Sequence, residues 1–196
     1  MRGSTVALAL LLALSGCAHE VLLLTAAPPE IGELDPPLPV TLAVQLGPFA
    51  DTRLRGASVV ERFAHALRDA RLAQGVLFPV PTGVRPSFEL VLAGSDSAEE
   101  PNSNFWGAAL ASALPPLALF VHLRNDYTLE LEALLVRRGE VIGTYRGRAT
   151  IRHRYQVYAP RAEVEAEGVE AAVGSATRQI LAALALDAPR LNVELR

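Results

Sequence analysis

Two alternating segments in the second half of the chain constrain the fold more than any other feature. DYTLELEALLV, residues 126–136, places apolar side chains at every second position, and YRGRATIRHRYQVY, residues 145–158, alternates in the same way. Such alternation is typical of strands that bury one face. The segment Arg138–Glu140 contains a glycine and lies between them. A three-residue loop of this kind predicts an antiparallel hairpin.

Charged residues on the two segments predict how the strands pair. The register that sets Arg137 opposite Val141 matches acidic residues with arginines and one threonine with another: Glu132–Arg146, Glu130–Arg148 and Thr128–Thr150. A shift by one residue would place the arginines opposite leucines. The charges and the apolar pattern therefore favour the same register.

Two helices are predicted near the ends of the folded part. Residues 58–73 have apolar side chains at helical spacing and begin with the capping-box pattern SVVE. Residues 162–186 carry an apolar stripe, which Gly168 and Gly174 interrupt. Glycine weakens a helix, but Gly174 could also permit close approach to a sheet. Residues 188–196 are predicted to be a tail or a short strand.

The order of the elements predicts the α+β class. Further strands are expected at residues 40–49, 75–80 and 87–94, and the polar segment 95–104 is expected to be a loop. We therefore expect one mostly antiparallel sheet with two helices, at about 58–73 and 162–186, packed on one face. An apolar insert interrupts this pattern.

The first seventeen residues indicate export. Arg2 precedes the apolar run Val6–Leu14, which has the length of a signal sequence, about 7–15 residues, and not the roughly 20 of a membrane span. The run ends in LSGC, Leu14–Cys17, which resembles the lipobox of bacterial lipoproteins. Cys17 is the single cysteine of the chain, and a thiol can carry a diacylglycerol as a thioether. The alternative is a plain secretory signal followed by a chance cysteine.

The lipobox resemblance implies a signal peptide at residues 1–16 and acyl chains such as palmitate on Cys17. Ala18 follows the cysteine, which implies the outer membrane and its periplasmic side. Residues 17–39 carry five prolines and are interpreted as a lipidated N-terminus and an extended tether. Residues 40–196 are expected to form a single domain. The order of its elements loosely resembles small α/β envelope lipoproteins, and that resemblance assigns no functional residue besides Cys17.

The insert Phe105–Leu123 has no charged residue before His122. Pro115 and Pro116 divide it, because proline breaks a helix interior and disfavours helix in the residue before it. Neither half reaches across an apolar layer of about 30 Å. A membrane span is therefore the least favoured of three alternatives. The others are an internal packing element and an exposed apolar arm that contacts a membrane surface or a protein partner.

Little in the sequence suggests chemistry. The four histidines lie far apart without a cysteine partner, and the acidic segment 94–102 lacks calcium-loop spacing, so no metal ligand is predicted. Phosphate-loop, dinucleotide and nucleophile motifs are missing, so no catalytic residue and no cofactor are predicted. The formal net charge of −3 becomes −4 when Arg2 is removed, which argues against a nucleic-acid partner.

The arginine face of the hairpin leaves two interpretations open. Arg146, Arg148, Arg152 and Arg154 share one side of their strand. They could bind an anionic polymer or a lipid headgroup, or they could form a solvated face that neighbouring carboxylates neutralise.

These observations favour a lipid-anchored envelope protein that faces the periplasm and is not an enzyme. It would act as an adaptor or assembly subunit through the insert and the sheet surface. The alternative is a component of an oligomeric envelope transport or secretion complex, in which the inserts of several copies form a ring.

Overall fold

The computed structural model describes residues 19–26, 37–50, 54–98, 122–156 and 161–194. The predicted signal peptide, Cys17 and residues 105–121 of the insert lie outside the described residues, whereas the last two residues of the predicted insert, His122 and Leu123, begin a strand. Lipidation and the behaviour of the insert therefore stay predictions.

The described chain has the predicted α+β architecture. Its elements are β1 Glu20–Leu23, β2 Leu38–Ala50, α1 Gly56–Asp69, β3 Ala73–Leu77, β4 Phe88–Ala98, β5 His122–Arg137, β6 Glu140–Gln156 and α2 Arg161–Glu194. The strands form one sheet in the order β1-β6-β5-β4-β2-β3. Pairing is antiparallel from β1 to β4 along this order, whereas β2 runs parallel to both β4 and β3. Both helices pack on one face, as predicted.

The main core lies between the sheet and the helices, and a second, small cluster is formed by Tyr155 and Val164. Alternate residues of each long strand face the main core, because side chains of a strand point to opposite faces in turn. The fully buried side chains of the central strands and helices include Leu42, Leu90, Leu131, Phe63 and Ile180. In the described part of the chain, α2 alone has a length and composition that would suit a membrane span. Its apolar stripe is instead buried against the sheet.

The β5–β6 hairpin has the predicted register along most of its length. Glu132 is opposite Arg146, and Glu130 is opposite Arg148. The Nε atom of Arg146 donates to a Glu132 oxygen at 2.7 Å, and that of Arg148 lies 3.3 Å from a Glu130 oxygen. The charges on the solvent side thus pair as their sequence positions indicated.

The turn of this hairpin differs from the prediction. Arg137 pairs with Glu140 and not with Val141, so the loop contains only Arg138 and Gly139. These two residues have φ of 50° and 89°, the left-handed backbone that a two-residue turn needs. A bulge at Ile142 then adds one residue to β6 and restores the predicted register.

The predicted tether is in part a strand. Residues Glu20–Leu23 form β1 and pair with the end of β6, while β2 already begins at Leu38. The interpretation of residues 17–39 as an extended tether is therefore wrong for β1. The short segment could not be recognised locally, because its backbone partners lie more than 120 residues away in sequence.

Helix α1 begins and ends earlier than predicted. It starts at Gly56 after Arg55, and no side chain caps it, so the capping box at Ser58 is wrong. The Ser58 N–H donates instead to the Arg55 carbonyl at 2.8 Å. The helix ends at Asp69, and Arg71, shortly after it, takes the left-handed conformation (φ 50°) that is common where helices end.

Two further elements are longer than predicted, because they continue through polar residues or a proline that were expected to end them. β4 continues through Ser95–Ala98, which was predicted to be loop, because every residue of it pairs with β5. Helix α2 continues to Glu194 with Pro189 inside it, where a tail or strand was predicted. Ala188 and Leu191 are buried on the sheet, so tertiary packing keeps this last part helical.

The close approach between helix and sheet does not occur at Gly174. A side chain there would meet nothing within 4 Å. The contact lies at Gly147 of β6, where a Cβ atom would overlap the backbone of Ala176. The strand glycine, and not this helix glycine, allows α2 to lie close to the sheet.

Candidate functional site

One end of the sheet brings together segments that are far apart in sequence. β1 begins at Glu20, which pairs with Arg154 near the end of β6. The last residue of β6, Gln156, pairs with His122, the first residue of β5. β4 ends at Ala98, opposite Tyr127. We call this the Glu20 end of the sheet, and the chain on either side of the apolar insert leaves from it.

The N-terminal segment is bound to the helical layer at this end. His19 Nε2 lies 2.8 Å from a carboxylate oxygen of Glu167 on α2. The next residues form β1, and beyond it the Leu24 N–H donates to the Thr150 carbonyl at 2.8 Å. The chain is therefore held in place from His19 to Leu24.

A cleft of about 420 Å³ opens near the Glu20 end between the two helices and the sheet. Its walls come from the start of α1, the first half of α2 and the beginning of β5 with the end of β6. The lining residues are Leu54, Arg55, Ser58, Val59, Arg62, Asn125, Tyr127, His153, Ala162, Glu165, Ala166, Val169, Glu170 and Val173. The walls are mainly apolar.

Two buried polar side chains line this cleft. Asn125 and His153 are directly paired across β5 and β6 and are 3% and 2% exposed. Within the described part of the chain, Asn125 Oδ1 and both His153 ring nitrogens make no hydrogen bond. Buried polar atoms normally find a partner, because leaving them without one costs free energy. Unpaired groups in a cleft are therefore candidates for contacting a ligand.

Burial sets the protonation of this histidine. It lowers the pKa of His153 below the ordinary value of 6.5, because the charged ring would lose its hydration. The carboxylates of Glu165, Asp126 and Glu167 act in the opposite direction and do not overcome the burial. The ring is consequently neutral at pH 7 and offers one donor and one acceptor.

The mouth of the cleft carries charges of both signs. Arg62 of α1 and Glu170 of α2 lie 3.4 Å apart, and both side chains are more than half exposed. Arg55 and Glu165 also line the opening. These opposite charges largely cancel, so the mouth attracts neither ionic sign strongly.

The arginine face is largely matched by carboxylates of β5. Arg152 donates from Nε and Nη2 to the two carboxylate oxygens of Asp126 at 2.9 and 2.8 Å. These bonds, helped by Arg124, hold the pKa of Asp126 well below its usual range. With the Glu132–Arg146 pair, this geometry favours the interpretation of a solvated and neutralised face over an anion-binding surface.

No described group of three or more His, Cys, Asp or Glu side chains could hold a metal ion. The site residue predicted from sequence, Cys17, is not among the described residues. Asn125 and His153 were not predicted as site residues. The sequence nevertheless contained a signal for them, because the predicted hairpin register sets Asn125 opposite His153 on the apolar side of the strands.

Comparisons with known proteins add little about function. No family model and no curated protein matches the chain. Among solved structures, a DUF330 protein from Xanthomonas campestris is 12% identical, with a TM-score of 0.48, covering 88% of this chain and 96% of its own. A Caulobacter crescentus protein described as a candidate lipoprotein is 16% identical, with a TM-score of 0.40 and coverages of 74% and 90%.

A third similar structure is the PelC dodecamer from Paraburkholderia phytofirmans. It is 15% identical, with a TM-score of 0.38, and the match covers 85% of this chain and 97% of PelC. Similarity at this level carries no argument about function, so the proposals below are based on the chain itself.

Proposed function

We propose that the chain is a lipid-anchored protein of the outer membrane that faces the periplasm and acts without catalysis, as an adaptor or assembly subunit. The Glu20 end of the sheet would lie against the membrane and present the insert to a protein partner. The observation that carries this proposal is the position of β1, which begins three residues after Cys17.

Chain length limits how far an acylated Cys17 could lie from the sheet. An extended chain spans at most about 3.3–3.6 Å per residue, so the α-carbons of Cys17 and Glu20 are within about 10 Å of each other. A long tether would allow the domain to turn freely. The pairing of β1 with β6 and the contact of His19 with Glu167 leave no such tether, so the lipid would fix which end faces the bilayer.

Exposed leucines next to the anchor fit the same orientation. Leu22, Leu23 and Leu24 are 41%, 36% and 45% exposed on and just after β1. Apolar side chains close to a lipid anchor add contact with the acyl region, and acyl chains bind more firmly when a second contact supports them.

The insert would reach its partner from this same end. The described chain leaves the sheet at Ala98 of β4 and returns at His122 of β5, and both residues lie at the Glu20 end. Aromatic and apolar side chains are enriched in the centres of protein interfaces, and the insert begins with Phe105 and Trp106. A lipid on Cys17 already anchors the protein, which leaves the insert available for a partner.

Photo-crosslinking in intact cells tests this role. A crosslinker at Trp106 should yield a discrete protein adduct, whereas one at Val84, an exposed residue at the opposite end of the sheet, should not. The mass of the N-terminal peptide should show acyl groups on Cys17, and Cys17→Ala should lack them. Adducts to lipid alone at Trp106, or equal protein adducts at both positions, would refute the adaptor role.

A further inference from the structure

We propose that the cleft between α1, α2 and the sheet binds a small uncharged amphiphile, with a hydroxyl head at Asn125 and His153 and an apolar body along the helices. This inference is independent of the adaptor role, because it depends only on described residues. It assigns a ligand to buried polar atoms that make no hydrogen bond within the described residues.

The floor of the cleft supplies the hydrogen bonds for such a head. Asn125 Oδ1 accepts only, whereas the neutral ring of His153 has one N–H donor and one acceptor nitrogen. A hydroxyl both donates and accepts, so it would donate to Asn125 Oδ1 and accept from an N–H at His153 Nδ1, because Nε2 lies against Gly168. The two residues are cross-strand neighbours, whose Cβ atoms lie about 4.5–5.5 Å apart, close enough to share one hydroxyl.

The walls suit an apolar body of limited size. Val59 of α1 and Val169 and Val173 of α2 line the cleft. The volume of about 420 Å³ falls near the lower end of the range of about 300–1,000 Å³ for ligand sites. The ligand is therefore a short single chain or a compact apolar group, and not a complete phospholipid.

The charges argue against an ionised head. The floor itself consists of a neutral amide and a neutral ring, which offer no charge partner to an ion that has lost its hydration. Asp126 is held by Arg152, so it is not available as a partner for a cationic head. Glu165 at the wall would repel a carboxylate head.

Octanol and octanoate are suitable probes, because they share one chain length and differ in the charge of the head. The full chain with Cys17→Ala would be titrated in detergent-free buffer at pH 8 by calorimetry. The ¹⁵N signals of the His153 imidazole would be followed in parallel. We expect one octanol to bind per chain and to shift the His153 signals. Octanoate should bind at least about tenfold more weakly, because its carboxylate cannot donate a hydrogen bond to Asn125 Oδ1.

Variants separate the cleft from other apolar surfaces. Asn125→Leu should weaken octanol binding about fivefold to tenfold, the usual effect of one lost hydrogen bond. Ala166→Phe, at an exposed lining position of α2, should fill the opening and abolish binding. Val193→Phe is the matched control, because Val193 is on the same helix, 78% exposed and outside the cleft.

Three results would overturn the proposal. The first is octanol binding that Ala166→Phe leaves unchanged. The second is equal affinity for octanol and octanoate. The third is an absence of any His153 shift at saturating octanol, which would mean that water alone satisfies these groups. Circular dichroism of each variant verifies the fold, and Val193→Phe must retain the parent affinity.

Discussion

The imidazole of His153 on β6 lies where Gly168 on α2 would carry a side chain. A Cβ atom at Gly168 would overlap His153 Nε2, so the glycine is what admits the ring between strand and helix. Glycine costs helix stability, about 0.5–1 kcal/mol relative to alanine. The fold therefore gives up helix stability at the position where a buried histidine lines the cleft.

Substitution of the two helix glycines should have opposite effects. Gly168→Ala forces a methyl group into His153, and overpacking of this kind typically costs about 1–3 kcal/mol. Gly174→Ala meets nothing within 4 Å and should gain about 0.5–1 kcal/mol from helix propensity. Urea denaturation of both variants measures the difference. An equal gain in the two variants would show that His153 does not occupy the space beside Gly168.

Stability should depend on pH through His153. Burial lowers its folded pKa below 6.5, so between the two pKa values the unfolded chain binds more protons than the folded chain. The free energy of unfolding is thus fully retained above about pH 6.5 and falls as the pH is lowered towards the folded pKa. The negative charges of Glu165, Asp126 and Glu167 act in the opposite direction and reduce this dependence without reversing it.

His153→Leu provides the control for this pH effect. It removes the titrating ring and both unpaired nitrogens, so the loss of stability between pH 7 and pH 5 should shrink. At pH 7 the ligand-free variant should be more stable by about 1 kcal/mol, since a buried group without a partner costs about 1–3 kcal/mol. Denaturant titrations at pH 5, 6 and 7 measure both effects. If the variant lost as much stability between pH 7 and pH 5 as the parent, a group other than His153 would be responsible for the pH effect.

The ion pairs of the arginine face should contribute unequally to the free energy of unfolding. Arg152→Met removes two charge-assisted bonds to Asp126, whose side chain is 17% exposed, and should cost about 1–2 kcal/mol at pH 7. Arg146→Met removes a pair whose arginine is 80% exposed, and should cost less than about 0.5 kcal/mol. Thermal or urea unfolding of the two variants side by side tests this order. Equal losses would contradict it.

The sequence predicted those features whose signals are local. Alternation and opposite charges specified the hairpin register, and through it the pairing of Asn125 with His153. The bulge at Ile142 was missed. It adds one residue to β6, while the turn has one residue fewer than predicted, so the two differences cancel and the register of the rest of the hairpin is unchanged. β1 was missed because four residues acquire strand structure only through their pairing with β6.

The cleft could not be predicted from the strands alone. Its floor follows from the hairpin register, but its walls require α1 and α2 to lie apart over the Glu20 end of the sheet. That placement depends on packing, including the approach of α2 to the sheet at Gly147. Sequence spacing within a helix does not report where its partner helix lies.

Depth-dependent fluorescence quenching tests the orientation of the protein most directly. An acylated Cys17 has no free thiol, so a cysteine introduced at Ser97 or Arg138 can be labelled alone in full-length protein reconstituted in brominated vesicles. Both positions are exposed, Ser97 at the Glu20 end and Arg138 at the opposite end of β5, about 30 Å away along the strand. We predict strong quenching at position 97 and little at position 138. Equal quenching, or stronger quenching at position 138, would contradict a domain that the lipid and β1 hold with the Glu20 end against the membrane.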